Sequence, residues 1–257
     1  MVETVSPVEP KIVTYGDAAQ AERRQRLIEL LRCCPIPDSE ILLNMGLFLV
    51  PQTLSRVLFM DFLYRQILEV QGVILDFGTR WGQNLSLFTS LRGIYEPFNR
   101  LRKVVAFDTF EGFLGFSGED KTGSMMDHDY GVTAGYERYL AEFVELQERE
   151  SPLSHIRKHE IRKGDASKEI VGYLEENPET VVALAYFDFD LYEPTKDCLL
   201  AIRDRLTRGS VLGFDELNDH ACPGETLAVK EVLGLGRNAM RRYQYNSRTS
   251  YMVVEQL

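Results

Sequence analysis

The sequence predicts an α/β fold in which a mostly parallel, seven-stranded sheet is closed by an antiparallel hairpin and preceded by a helical segment. Short continuous apolar runs recur after residue 71, helical patterns separate them, and the last two runs flank a turn. Continuous rather than alternating apolar strands, separated by helices, are typical of a parallel sheet that is covered on both faces.

The N-terminal part of the chain contains three helical patterns. They occupy residues 17–34, 37–49 and 51–70. Pro51 suits the first turn of the third pattern, which is apolar on more than one face, as expected of a helix buried between a domain and a cap or partner subunit. We therefore predict a helical cap or oligomerisation segment over residues 1–70, a main domain over residues 71–257, and a homo-oligomer.

Five apolar runs in the main domain predict parallel strands, and each ends in glycine or a carboxylate. They are GVILDFG, KVVAFD, HEIRKGD, VVALAYFDFD and SVLGFDE. RRYQY and SYMVVE flank a turn at Asn246 and Ser247 and predict the closing hairpin. Between the second and third strands, a glycine-rich insertion at about residues 116–135 predicts a mobile lid or a plain surface loop, with a helix starting near Tyr136.

The composition bounds the function. The chain has 257 residues, 44% hydrophobic and 26% charged, as in ordinary soluble globular proteins. A net charge of −10 without a basic cluster argues against nucleic acid as a partner. No apolar stretch is long enough for a membrane span and the start lacks a signal-peptide layout, so we expect a cytoplasmic protein without a membrane partner. The four cysteines show no zinc or disulfide spacing.

The turn after the first strand, in LDFGTRWGQN, is a candidate cofactor site. Gly78 permits a tight turn, and Gly82 lets the backbone approach a ligand at the start of a helix. Asp76, Thr79 and Asn84 are the candidate polar contacts of this turn. The spacing is shorter than the dinucleotide fingerprint and no Walker lysine follows, so a turn that binds nothing is the alternative.

Two further strand ends suit the same cofactor. Asp108, followed by Thr109, ends the second strand, where a carboxylate can accept hydrogen bonds from both hydroxyls of a ribose; the alternative is a helix N-cap. Gly164, Asp165 and Ala166 end the third strand, where a purine ring would lie; the alternative is an ordinary turn.

Carboxylates at the ends of the fourth and fifth strands predict a metal site. Asp188 and Asp215 each follow an apolar run, and one helix plus a turn separates them, as a right-handed crossover requires. If these strands are neighbours, Asp188, Asp215 and Glu216 converge and repel one another unless a cation intervenes. Mg²⁺ prefers such oxygen ligands. The alternative is helix capping and surface solvation, and Asp190 is expected to play a supporting structural part.

The motifs LDFGTRWG, FDTFEGF, KGDA, FDFDLYEPTKD, GFDE and PGETLAVKEVL occur in this order within a resemblance that covers roughly residues 45–257. Their order and spacing resemble the macrocin O-methyltransferase (TylF) family. That family has the class I S-adenosylmethionine (AdoMet) methyltransferase fold, which is Rossmann-like, and methylates sugar hydroxyls in natural-product biosynthesis. The resemblance implies AdoMet and Mg²⁺ as cofactors and a sugar or glycoside as the small-molecule substrate.

Carried over residue by residue, the resemblance implies that Asp188, Asp215 and Glu216 bind Mg²⁺, that Gly78 and Gly82 shape the AdoMet pocket, and that Asp108 contacts the ribose of AdoMet. Two departures stand out. Glu216 replaces an aspartate, which keeps the charge and lengthens the arm. DFGTRWG replaces ETGVWRGG, which changes the loop expected to contact the methionine end of AdoMet.

A sugar hydroxyl needs activation because its pKa lies far above 7, and Asp188 or His128 in the predicted lid is the candidate base. Three alternatives stay open. A catechol-type methyltransferase shares the fold, the cofactor and the metal. A metal-dependent glycosyltransferase also uses an Asp-x-Asp motif, and a non-enzymatic scaffold would need neither AdoMet nor a metal.

Overall fold

The computed structural model describes residues 17–120 and 127–255. The helices are α1 (Ala18–Arg32), α2 (Asp38–Ile41), α3 (Pro51–Gln66), α4 (Gln83–Tyr95), α5 (Tyr136–Arg149), α6 (Ala166–Glu176), α7 (Tyr192–Ile202) and α8 (Gly224–Val232), with 3-10 helices at Leu42–Phe48 and Arg203–Arg205. The strands are β1 (Val73–Phe77), β2 (Val104–Asp108), β3 (His159–Lys163), β4 (Val182–Phe187), β5 (Leu206–Phe214), β6 (Arg241–Arg242) and β7 (Ser250–Val253).

The strands form one sheet in the order β3-β2-β1-β4-β5-β7-β6. The first five pair in parallel, and β7 pairs antiparallel with both β5 and β6. The predicted fold class is confirmed, including the closing hairpin, in which the last strand inserts beside β5. The neighbouring positions predicted for the fourth and fifth strands are confirmed as well.

A row of phenylalanines aligns the ends of four parallel strands. Phe77 pairs in register with Phe107 and Phe187, and Phe187 pairs with Phe214. Their rings stack at centroid distances of 5.0, 5.0 and 5.2 Å. Because strand register is fixed at these residues, the residue after each phenylalanine reaches the same edge of the sheet. Those residues are Gly78, Asp108, Asp188 and Asp215.

Helix α3 covers one face of the sheet. Phe59, Met60, Leu63 and Tyr64 are buried and belong to the hydrophobic cluster on that face. Arg56 lies one turn earlier on the same side of the helix, since residues three and four apart share a face. The helix therefore carries a cation towards the carboxyl edge of the sheet.

Apolar side chains are exposed on the N-terminal helices. Helix α1 has no buried residue. The exposed apolar residues of this segment are Leu27, Ile28, Leu30, Leu31, Leu42, Leu43, Met45, Leu47, Leu49, Leu54 and Leu58. Within residues 17–120 and 127–255, no single helix is long and apolar enough to cross a membrane, although Asp38–Phe48 and Pro51–Gln66, bent by 93° at their junction, meet the length and composition test as a pair.

Glu148 on α5 holds a buried ionic network together. Its carboxylate pairs with Arg92 and accepts hydrogen bonds from the backbone N–H of Lys158 at 3.0 Å and from Nδ1 of His159 at 2.8 Å. Burial opposes the ionisation of Glu148. The hydrogen bonds from His159 and Lys158 and the charge of Arg92 outweigh burial and lower the pKa of Glu148 to about 2.

We expect Glu148→Gln to lower the free energy of unfolding at pH 7 by about 3–5 kcal/mol, because the buried Arg92 loses its counter-ion. The pKa of Glu148 is lower in the folded state than its ordinary value of 4.5. Its contribution to stability is therefore complete above about pH 4.5 and is lost as the pH falls towards 2. Urea titrations across this range should show a steeper loss for the wild type than for the variant.

The matched control is Glu145→Gln, which removes an exposed ion pair with Arg149 on the same helix. We expect this change to alter stability by less than about 1 kcal/mol. Equal stabilities for the wild type and Glu148→Gln would contradict the structural role of the network.

Candidate active site

A cavity of about 990 Å³ lies at the carboxyl edge of the sheet, where ligands bind in open α/β folds. Most of the residues predicted for the site line it. They are Gly78, Thr79, Asn84, Asp108, Thr109, Gly164, Asp165, Ala166, Asp188, Asp215 and Glu216. Three predicted residues, Asp76, Gly82 and His128, are not on the cavity wall.

The turn after β1 is built around Gly78. Its φ is +83°, and a Cβ atom there would lie 2.1 Å from the backbone oxygen of Asp188. Only glycine tolerates both the conformation and the contact. Beneath the turn, the buried carboxylate of Asp76 accepts hydrogen bonds from Thr79 Oγ1 at 3.0 Å and Asn84 Nδ2 at 3.3 Å. Burial raises the pKa of Asp76 to about 6 in spite of these bonds.

Gly82 is the N-cap of α4 with φ +77°, and a Cβ atom there would lie 2.2 Å from Leu140 Cδ1. The glycine therefore allows α4 to pack closely against α5. Asp76 and Gly82 shape the turn from behind, whereas Gly78 and Thr79 face the cavity.

Asp108 lies beside the same turn. It accepts hydrogen bonds from the backbone N–H groups of Arg80 at 2.7 Å and Phe110 at 2.6 Å. Burial raises its pKa despite these two bonds. Thr109 donates to the carbonyl of Gly112 at 2.9 Å and so fixes the loop that follows β2.

Asp165 caps α6. Its side chain accepts a hydrogen bond from the backbone N–H of Ser167 at 3.1 Å, as a helix N-cap does. Gly164 precedes it with φ +152°, and Ala166 follows it as the first helical residue. The cap and the cavity wall are thus formed by the same three residues.

Asp188 and Asp215 share one cation. Arg56 lies 3.2 Å from Asp188 Oδ2 and 2.7 Å from Asp215 Oδ1. The hydroxyl of Tyr186 donates to Asp215 Oδ1 at 2.8 Å. Within the described part of the chain, these contacts use only Oδ2 of Asp188 and Oδ1 of Asp215. Burial and the charge of Asp215 raise the pKa of Asp188 well above its ordinary value.

Glu216 lies on the adjacent side of the cavity and pairs with Arg248. Its Oε2 atom is buried and has no hydrogen-bond partner among the described residues. Ligand atoms of Asp190, Glu216 and Cys222 lie within 4.8 Å of one another. Burial and the charge of Asp215 raise the pKa of Asp190 to about 6. The carboxylates therefore form one continuous acidic wall from Asp188 to Glu216.

Residues beside the predicted lid also line the cavity. Phe113, Phe116, Asp120 and Tyr130 are on its wall, whereas residues 121–126 of the insertion lie outside the described part of the chain. His128 is exposed, and its Nδ1 lies 3.1 Å from the carbonyl oxygen of Glu111. The structure does not bring it together with Asp188.

Sequence reasoning missed Arg56, Arg80, Tyr186 and Arg248. Arg56 carried a usable signal, because it is a cation on the apolar side of the third helical pattern. Arg80 and Arg248 follow a glycine turn and a hairpin turn, where charged residues are usually solvated. Nothing in the local sequence distinguishes them from surface residues.

The residues present fit both implied cofactors. For AdoMet, the tight turn at Gly78, where a Cβ atom would collide with the backbone of Asp188, and the Asp108 carboxylate line the same cavity. For Mg²⁺, the cavity wall offers several carboxylate oxygens, and one of them, Oε2 of Glu216, is buried without a hydrogen-bond partner among the described residues. Both donor sets belong to one cavity, so a cofactor and a metal could act on the same substrate.

Two solved structures of one enzyme are similar to this chain. The first is a calicheamicin methyltransferase, CalS11, with a TM-score of 0.91 at 40% identity over 98% of both chains. The second is the apo form of CalS11, described as TDP-rhamnose 3′-O-methyltransferase in calicheamicin biosynthesis, with a TM-score of 0.83 at 40% identity over 95% of this chain and 97% of that one.

The O-methyltransferase NovP has the same fold, with a TM-score of 0.60 at 15% identity over 79% of this chain and 80% of that one. No protein-family model matches the chain, and no curated protein matches it. The likeness to CalS11 confirms the predicted methyltransferase and speaks against the glycosyltransferase alternative. At 40% identity over nearly all of both chains, the protein belongs to the family of O-methyltransferases that includes the calicheamicin methyltransferase CalS11.

Proposed function

We propose that this protein is an AdoMet- and Mg²⁺-dependent O-methyltransferase that methylates a sugar hydroxyl in antibiotic or other natural-product biosynthesis. The sugar is a deoxysugar, linked to a nucleotide or held in a glycoside. One observation carries the proposal: the glycine turn at Gly78 and the carboxylates Asp188 and Asp215 line a single cavity. The relative CalS11 is described as acting on TDP-rhamnose, which supports the nucleotide-linked form.

Five residues would hold AdoMet. Gly78 lets the cofactor approach the backbone, Asp108 accepts from its ribose hydroxyls, and Gly164, Asp165 and Ala166 border its purine ring. When bound, AdoMet supplies an electrophilic methyl group. The task of the protein is then to hold an acceptor hydroxyl in line with that group, and orientation alone can contribute several kcal/mol to catalysis.

Asp188, Asp215 and Glu216 would hold Mg²⁺. When bound, Mg²⁺ lowers the pKa of a coordinated hydroxyl and fixes its position. Tyr186 holds Asp215 in place through its hydroxyl, and Arg56 balances part of the charge. Asp190 adds further negative charge beside this set.

Asp188 is the better candidate for the general base. It is on the cavity wall, where a carboxylate can reach the acceptor hydroxyl of a bound substrate. His128 is exposed and off the cavity wall. We therefore propose Asp188 as the base that accepts the proton of the acceptor hydroxyl, and we give His128 no direct part in proton transfer.

The direct test combines AdoMet and Mg²⁺ with a panel of TDP-sugars, glycosides and catechols, and reads the products by mass spectrometry. We expect one added methyl group on a sugar acceptor and none on catechols. Methylation of catechols alone would support the catechol-type alternative and would contradict the proposed acceptor class.

We also propose that the protein forms a homo-oligomer through its N-terminal helices. The exposed leucines of α1 and of the 3-10 helix at Leu42–Phe48 support this proposal, since large exposed apolar patches mark interaction surfaces. Light scattering on the purified protein measures the oligomeric state.

A further inference from the structure

Arg80 is a cation on the cavity wall whose head group lacks the partners that the other cations have. The cationic residues of the wall are Arg56, Arg80, Lys168 and Arg248. Arg56, Lys168 and Arg248 each pair with a carboxylate. In Arg80, Nε and Nη2 are buried and have no hydrogen-bond partner among the described residues.

The position of Arg80 is nevertheless fixed. Its backbone has φ +48°, and its N–H donates to Asp108 Oδ2 at 2.7 Å. Its guanidinium carbon lies 4.8 Å from the ring centroid of Tyr130 and 6.0 Å from that of Trp81. Cation–π contacts hold the guanidinium in position and leave its N–H groups available for hydrogen bonds.

Buried donors without acceptors are costly, so a ligand that supplied the acceptors would stabilise this arrangement. A guanidinium binds a planar or tetrahedral oxyanion through two parallel hydrogen bonds, and Arg is preferred to Lys for this purpose. The unpaired edge of Arg80 therefore matches a carboxylate or a phosphate.

We propose that Arg80 is the oxyanion-binding residue of this cavity and takes either the carboxylate of AdoMet or the diphosphate of a nucleotide-linked sugar. The inference rests on the proposed function for the identity of these ligands. The backbone N–H of Arg80 contacts Asp108, and its guanidinium contacts the ring of Tyr130. Arg80 thus spans the distance between the ribose position and the loop that follows β2.

The test measures three binding affinities by calorimetry, for AdoMet, decarboxylated AdoMet and thymidine diphosphate. The variants are Arg80→Gln and Arg80→Lys, with Arg65→Gln as the matched control, since Arg65 is an exposed arginine on α3 that pairs with Asp61. We expect Arg80→Gln to lower the binding affinity for AdoMet or for thymidine diphosphate about 10- to 100-fold. Arg80→Lys should recover part of the loss, and Arg65→Gln should bind as the wild type does.

The two arms distinguish the sources of the oxyanion. If Arg80→Gln loses affinity for AdoMet and keeps its affinity for decarboxylated AdoMet, Arg80 binds the carboxylate of AdoMet. If it loses affinity for thymidine diphosphate alone, Arg80 binds the diphosphate. Unchanged affinities for both anions overturn the inference, as does an equal loss for decarboxylated AdoMet, which indicates general damage to the cavity. If the wild type binds AdoMet and Arg80→Gln binds AdoMet and thymidine diphosphate as tightly as the wild type does, the inference fails and the proposed function stands. If the wild type binds neither ligand, the inference and the proposed function both fail.

Discussion

Asp188→Asn and Asp215→Asn are each expected to lower turnover about 10²- to 10³-fold, because each removes a negative charge from the wall that would hold Mg²⁺ and the acceptor hydroxyl. Asp188→Asn should not lower the melting temperature, because burial and Asp215 raise the pKa of Asp188 and its charge is therefore held at a cost to stability. Asp215→Asn removes a counter-ion 2.7 Å from Arg56 and is expected to lower it. Steady-state kinetics and thermal melts of each variant measure both effects.

The control for these two variants is Asp204→Asn, which removes a carboxylate whose side chain is 86% exposed. Its turnover should equal that of the wild type. Near-normal turnover in Asp188→Asn or in Asp215→Asn would exclude these carboxylates from catalysis. A drop in turnover accompanied by unfolding would show only that the site is needed for the fold.

Gly78→Ala is expected to abolish AdoMet binding. A Cβ atom at this position would lie 2.1 Å from the oxygen and 2.7 Å from the carbon of the Asp188 carbonyl, both backbone atoms that cannot rotate away. The positive φ adds about 1–3 kcal/mol of backbone strain. The turn must therefore move away from β4, and calorimetry with AdoMet together with a urea titration measures the consequences.

Gly172→Ala is the matched control, because Gly172 lies within α6 and nothing is within 4 Å of its would-be Cβ atom. This change should leave AdoMet binding unchanged and raise stability by about 0.5–1 kcal/mol, as expected for alanine in a helix. AdoMet binding by Gly78→Ala with wild-type affinity would contradict the placement of the cofactor at this turn.

The strand ends could be predicted because they depend on local patterns. Each apolar run stops at a glycine or carboxylate, and parallel pairing brings such ends to one edge of the sheet. The in-register row from Phe107 to Phe214 then places Asp108, Gly78, Asp188 and Asp215 side by side. Periodicity and strand polarity were therefore enough to predict much of the cavity.

The cations could not be predicted in the same way. Arg56 reaches Asp188 and Asp215 from α3, which is separated from both by more than a hundred residues of sequence. Its partners depend on how the helix packs on the sheet, a tertiary effect that a local pattern does not encode. Arg80 is in the predicted turn, but its importance comes from the lack of hydrogen-bond partners for Nε and Nη2 among the described residues, which depends on the tertiary structure.

The position of Asp190 could not be predicted from the sequence either. It was expected to be a supporting structural residue, and the structure places it on the cavity wall with a φ of +61°, close to Glu216 and Cys222. The alternation of side chains along a strand ends where the strand ends. Beyond Phe187 the backbone turns, so counting alternate residues along the sequence no longer predicts which way a side chain points.

The most direct test of the account follows a labelled methyl group from AdoMet to a TDP-deoxysugar after the protein has been treated with EDTA. We predict that the label stays in AdoMet after this treatment and moves to a sugar hydroxyl when Mg²⁺ is added back. Transfer at the full rate in EDTA would contradict the metal role of the carboxylate wall. Failure to transfer to any sugar acceptor with Mg²⁺ present would contradict the proposed function itself.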